Sequence, residues 1–192
     1  MFIAVLGINN IGKSTQVRRL TERIVAESLT ARGIKYPIYD LAPTGPMLNG
    51  YLREGNPHNL TPREFQILQA LNRQAFEPNL RQMLVANNVM VAEDYIGTGI
   101  AWGMRGGVEK DFLVEINSGL LREDITILLD GERFSTGREA NHAHEAKDDF
   151  FDIRQIHLDL AKEFGWQVVS AKGNEDEVHE RVWQVVLPKL NL

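Results

Sequence analysis

Cysteine is absent from the 192-residue chain, which excludes disulfide staples, thiolate metal centres and a cysteine nucleophile together. That absence accords with a reducing compartment. Long apolar runs are missing too. The N-terminal stretch Phe2 to Leu6 is far too short to span a bilayer, and it lacks the basic leader and cleavage site of a signal peptide. A cytoplasmic protein with no membrane partner is the expectation. Basic charge is in deficit, with 21 Lys and Arg against 26 Asp and Glu and a net charge of −5. A nucleic-acid-binding surface is usually basic, so no nucleic-acid partner is expected, although a few arginines can still serve one phosphate site. Repeats, low-complexity segments and internal boundaries are lacking as well. With 43% hydrophobic and 24% charged residues, the composition is that of an ordinary globular protein, and one domain over residues 1–192 is expected.

What is present alternates between strand and helix. Met1 to Leu6 is a short apolar, branched run that reads as a buried strand. A helical pattern follows from Lys13 to about Ala31, with Val17, Leu20 and Ile24 on one face and Gly33 as its stop. Ile34 to Tyr39 reads as a second strand and Pro43 to Pro46 as a loop. Thr61-Pro62-Arg63-Glu64 combines a cap, a first-turn proline and a capping-box glutamate. The helix it opens should be kinked or divided at Pro78. Val89 to Ala92, Ile125 to Leu129 and Trp166 to Ser170 are further strands, and helices run to Leu160 and from Glu175 to Leu190. Such alternation predicts an α/β fold, a five-stranded parallel sheet with helices on both faces.

Gly7-Ile-Asn-Asn-Ile-Gly12-Lys13-Ser14 satisfies the Walker A pattern between a strand and a helix. Gly7 and Gly12 let the backbone wrap closely around phosphate oxygens, and the amides of the loop and the helix start point at negative charge. Lys13 supplies a cation for the β- and γ-phosphates, and the Ser14 hydroxyl is a ligand for Mg²⁺. ATP with Mg²⁺ is therefore the expected donor, held by Gly7, Asn10, Ile11, Gly12, Lys13, Ser14 and Thr15.

Beyond that loop the chain resembles the thymidylate kinase family over nearly its whole length. The resemblance rests on Gly12-Lys-Ser-Thr-Gln16, Pro43-Thr-Gly-Pro-Met-Leu48, Asn72-Arg73, Pro78-Asn-Leu80, Val89-Met-Val-Ala-Glu93-Asp94-Tyr95 and Ile125-Thr-Ile-Leu-Leu-Asp130. It implies a three-layer P-loop fold with a mobile lid at about 131–148, and phosphorylation of a nucleoside monophosphate, dTMP first. It also implies that Arg73 binds the acceptor phosphate and that Glu93 holds Mg²⁺ directly or through water. Asn9, Pro43, Tyr95, Trp102 and Arg105 would lie on the acceptor side, and Ser170 to Asn174, with Lys172, at the adenine. The Walker loop carries no arginine, so the lid must supply the one that meets the transferring phosphoryl group. Arg138 is the choice, with Arg133 and Arg154 as further candidates. Members of the family commonly dimerise through helices, and the apolar spacing permits a homodimer here.

Departures from the family pattern cluster at the acceptor. Asn9 replaces an acidic residue, Leu41-Ala42 stand for Arg-Glu, and Gln69 takes the place of the phenylalanine that stacks on thymine. Phe65, one helical turn earlier, either substitutes or belongs to the core. Asp94 reverses a positive charge near the acceptor phosphate, so either it turns away or another arginine, Arg105 being nearest in sequence, compensates. A deoxynucleoside kinase and a nucleotide-binding module without catalysis therefore stand as alternatives. His142-Ala-His144 does not place two ligands on one helix face and reads as solvated lid.

Overall fold

The computed structural model describes residues 1–132 and 150–190. Strand β1 (Phe2–Leu6) is buried at every position. It sits at the centre of an all-parallel sheet in the order β2-β3-β1-β4-β5, with β2 Ala31–Lys35, β3 Val89–Glu93, β4 Ile125–Asp130 and β5 Gln167–Ser170. β3 is equally buried throughout, as expected of parallel strands covered on both faces.

Seven helices among the described residues cover the sheet: α1 Lys13–Ala26, α2 Thr44–Arg53, α3 Pro62–Ala86, α4 Ile96–Arg105, α5 Lys110–Glu115, α6 Phe150–Phe164 and α7 Glu175–Val186. α1 and α7 pack against each other and one face of the sheet, while α3, α4 and α6 pack together on the opposite face. Arg23 ties the first pair. Its guanidinium lies 4.2 Å from the centre of the Trp183 ring and 2.7 Å from Glu180, joining a cation–π contact to an ion pair. The capping box at Thr61 and Glu64 is present as the sequence predicts. No helix among the described residues is long and apolar enough to cross a membrane.

Three local expectations change. α1 stops at Ala26, where Glu27 and the left-handed Ser28 (φ 66°) turn the chain, and Gly33 lies inside β2 instead of capping a helix. β2 is an edge strand of sequence ARGIK with no apolar run, so it continues a helical periodicity on paper. Gly33 allows α1 to approach closely there, since a Cβ would lie a tight 3.3 Å from the Val17 side chain. Pro43 to Pro46 is the start of α2, not a loop. Pro78 does not divide α3, since it removes only one backbone donor while Phe76 and Leu80 anchor the helix to the core on either side.

His157 of α6 is 1% exposed. Its Nδ1 lies 2.8 Å from the Ile153 carbonyl, and its Nε2 is buried with no partner among the described residues. Burial lowers its pKa from 6.5 to about 4. The native state therefore resists a proton that the unfolded chain accepts below pH 6.5. Stability from this group is complete above pH 6.5 and is lost as the pH falls toward 4, by roughly 2–3 kcal/mol. Urea unfolding of wild type and His157→Asn at pH 7 and 4.5 should show a smaller acid loss in the variant. Equal losses would refute the burial account.

Candidate active site

Parallel strands deliver their C-terminal ends to one edge, and the loops leaving β1, β2 and β3 meet there. After Leu6 the chain wraps through Gly7 (φ 145°) and enters α1 from Gly12 (φ 96°), backbone angles that suit glycine. A Cβ on Gly7 would lie 2.7 Å from the Leu129 carbonyl oxygen, so the close packing of the loop against β4 also requires glycine. No side chain caps α1, which leaves its first amides for an anion.

Lys13 is buried and donates to the Gly7 and Ile8 carbonyls, each at 3.0 Å. Its Nζ is also 3.7 Å from Asp94 Oδ1. Asp94 has φ 61°, a left-handed conformation that Asp tolerates better than most residues. Its Oδ1 accepts from the Thr98 hydroxyl at 2.8 Å. Burial pushes the Asp94 pKa up, and Lys13 opposes that shift. The reversed charge at this position is thus turned toward the Walker lysine. One residue earlier, Glu93 Oε1 lies 2.9 Å from Lys35 Nζ, and the two residues are register partners across β2 and β3. Burial lowers the Lys35 pKa, but the hydrogen bond and charge of Glu93 outweigh it and the net shift is upward.

Arg73 of α3 is 3% exposed. Nη1 donates to Asn117 Oδ1 and Nη2 to the Tyr95 carbonyl, both at 3.0 Å, while Nε is buried with no partner among the described residues. Both partners are neutral. Arg73 makes no ion pair among the described residues, and burial pulls its guanidinium down to about 10. Gly99 makes room for it, since a Cβ there would meet Nη2 at 2.6 Å.

One cleft of about 430 Å³ joins these groups. Asn9, Asn10, Gly12, Lys13, Ser14 and Thr15 line one part of it, and Phe65, Arg73, Glu93, Tyr95 and Trp102 also reach it. Gly7 and Ile11 lie behind the lining as loop backbone and buried core. Pro43 precedes α2, Arg105 ends α4 and Lys172 is exposed after β5; none of the three lines the cleft. Phe65 stacks on Tyr51 (centroids 3.9 Å, planes 17° apart) in a small cluster with Leu48 and Leu52. Tyr95 is fully buried, edge-on to Phe2, and donates its hydroxyl to the Leu121 carbonyl. Both side chains therefore pack in the core as well as touching the cleft. Arg154 is held by Asp130 in a two-pronged pair at 2.6 and 2.8 Å. Arg133, Arg138, His142 and His144 lie outside the described residues.

Lys35, Arg53, Gln66 and Thr98 line the cleft without having been picked out as site residues. A two-residue signal existed for Lys35, a cation just before Tyr36-Pro37, but placing β2 at 34–39 set it inside a strand. The Ser14 hydroxyl and the carboxylates of Glu93 and Asp94 are hard oxygen donors. They suit Mg²⁺, which keeps several waters and takes one or two carboxylates plus phosphate oxygens. No cluster of three metal-binding side chains occurs among the described residues.

A sequence profile described as thymidylate kinase matches residues 5–182. The thymidylate kinase of Dictyostelium discoideum is 24% identical over 95% of this chain and 82% of its own length. The human thymidylate kinase is 24% identical over 94% of this chain and 86% of its own. The solved structure of Candida albicans thymidylate kinase superposes with a TM-score of 0.79 at 22% identity, over 98% of this chain and 91% of that one. The chain belongs to the thymidylate kinase family.

Proposed function

We propose that this chain transfers the γ-phosphoryl group of ATP to a nucleoside monophosphate, with dTMP the first acceptor. The observation that carries the reading is Arg73, a buried guanidinium with only neutral partners, in the same cleft as Lys13 and Ser14 of the Walker loop. An unneutralised buried cation favours an anionic guest. A cleft that joins such a site to a triphosphate loop suits transfer between two phosphorylated molecules.

The roles follow from chemistry. The loop amides and Lys13 hold the donor phosphates, and Lys13 exchanges its carbonyl partners for phosphate oxygens. Ser14 and the carboxylates of Glu93 and Asp94 would hold Mg²⁺, which when bound would neutralise charge on the donor phosphates. Arg73 orients the acceptor. Arg138 meets the transferring group and neutralises its developing charge. No covalent enzyme intermediate is required, because positioning and charge stabilisation carry the reaction. Asp94 is compatible with a phosphorylated acceptor because its carboxylate is engaged by Lys13 and Thr98. The Candida albicans relative is described as revealing the origin of broad substrate specificity, which argues for testing a panel of acceptors.

ADP release from Mg·ATP across nucleosides and nucleoside monophosphates tests the reading. Turnover with dTMP is expected, with a fall on the order of a hundredfold or more in Lys13→Ala. A nucleoside preferred over its monophosphate would point to a nucleoside kinase, and ATP binding without transfer would point to a non-catalytic module. Arg138→Ala should lower kcat on the order of a thousandfold; near-normal turnover would remove its role. Gly99→Ala places a methyl against the pinned Arg73 guanidinium. The acceptor KM should rise about tenfold or more with the ATP KM unchanged, and an unmoved acceptor KM would detach Arg73 from acceptor binding.

A further inference from the structure

We infer that Lys35 is a second acceptor-phosphate ligand of this chain beside Arg73, with Glu93 as the residue that positions it. The inference rests on the monophosphate reading above and supplies the cation that Asp94 does not provide.

The argument is geometric. β2, β3 and β1 are consecutive in the sheet, so their ends are spaced by about 4.8 Å each. Lys35 closes β2, Glu93 and Asp94 close β3, and the Walker loop leaves β1. The contacts form a row: Lys35 on Glu93 at 2.9 Å, then Asp94 on Lys13 at 3.7 Å. Lys13 and Lys35 thus stand at the two ends of a row whose middle is the Glu93 and Asp94 carboxylates. Lys13 is the donor end of the row by its place in the Walker loop, which leaves Lys35 for the acceptor end.

Lys35 is also accessible, with 55% of its side chain exposed, whereas Glu93 is buried. A flexible ammonium with three donors can keep one on Glu93 and present others to a phosphate. The nearby cations are less suited. Arg53 has its guanidinium over the Tyr39 ring at 4.8 Å and an Asn49 contact at 3.3 Å. Arg105 does not line the cleft. Charge balance points the same way. Four cations (Lys13, Lys35, Arg53 and Arg73) and three carboxylates (Glu93, Asp94 and Glu175) line the cleft, and a phosphate monoester adds nearly two negative charges near neutral pH.

The test compares dTMP with thymidine, which differ only in the phosphate. Calorimetric binding to the full chain should show dTMP affinity falling on the order of 30-fold in Lys35→Met, the loss of one charge-assisted contact. Thymidine affinity and the ATP KM should stay within about twofold, and Lys35→Arg should restore most of the dTMP affinity. A merely structural role, neutralising Glu93, would weaken dTMP and thymidine alike and lower the melting temperature, and that pattern overturns the inference. So would unchanged dTMP affinity in Lys35→Met with a loss in Arg53→Met, which would assign the phosphate to Arg53. Because binding is measured without turnover, the inference can fail while wild type still phosphorylates dTMP. A wild type that binds no nucleoside monophosphate sinks both.

Discussion

A strand hydrogen-bonded on both edges and covered on both faces has nowhere to go, and β1 occupies that position between β3 and β4. The phosphate loop inherits its rigidity. Gly7 leaves the most constrained point of the sheet, touches the Leu129 backbone of β4, and delivers the unpaired amides of α1 to a fixed place. The Asp94 amide donates to the Val5 carbonyl, which joins the carboxylates at the end of β3 to the same anchor. A site organised by backbone ladders in this way is preformed, and side chains have only to point outward from it.

The cations of the cleft are prepared differently. Lys13 and Lys35 each face a carboxylate from the end of β3, so their charges are held in place before any nucleotide arrives. Arg73 faces an amide oxygen and a backbone carbonyl instead. Its position is set by hydrogen bonds while its charge stays largely uncompensated. An unpaired buried arginine gains much from an anion.

The sheet was legible in the sequence because buried parallel strands are nearly continuous apolar runs, as Phe2–Leu6 and Val89–Glu93 are. β2 was displaced by three residues at its start because an exposed edge strand of sequence ARGIK has no such run. The glycine-rich α4 and the short α5 were not foreseen. A helix whose glycines are demanded by neighbouring side chains does not advertise itself through propensity. At the site, the Walker loop was legible from spacing alone, and Arg73 from the resemblance. The Lys35–Glu93 pair was not, since it depends on cross-strand register, which single-sequence patterns do not encode. The orientation of Asp94 was equally hidden, because a positive φ and a bond to Thr98 decide where its carboxylate points.

Helix α4 has a consequence for anyone seeking a hardier version of this protein. Gly97, Gly99 and Gly103 cost the helix about 3 kcal/mol relative to alanine by propensity, so it reads as an obvious target for thermostabilising substitution. Each position is closed. A methyl at Gly97 would strike Leu6 and Trp166, one at Gly99 would strike Arg73, and one at Gly103 would strike Leu113, all within 2.7 Å. The helix has given up intrinsic stability for proximity to Leu6 of β1, to Arg73 and to α5. Gains in heat tolerance must therefore come from elsewhere, such as the solvent-facing side of α3, where Ile67, Leu71 and Val85 are exposed.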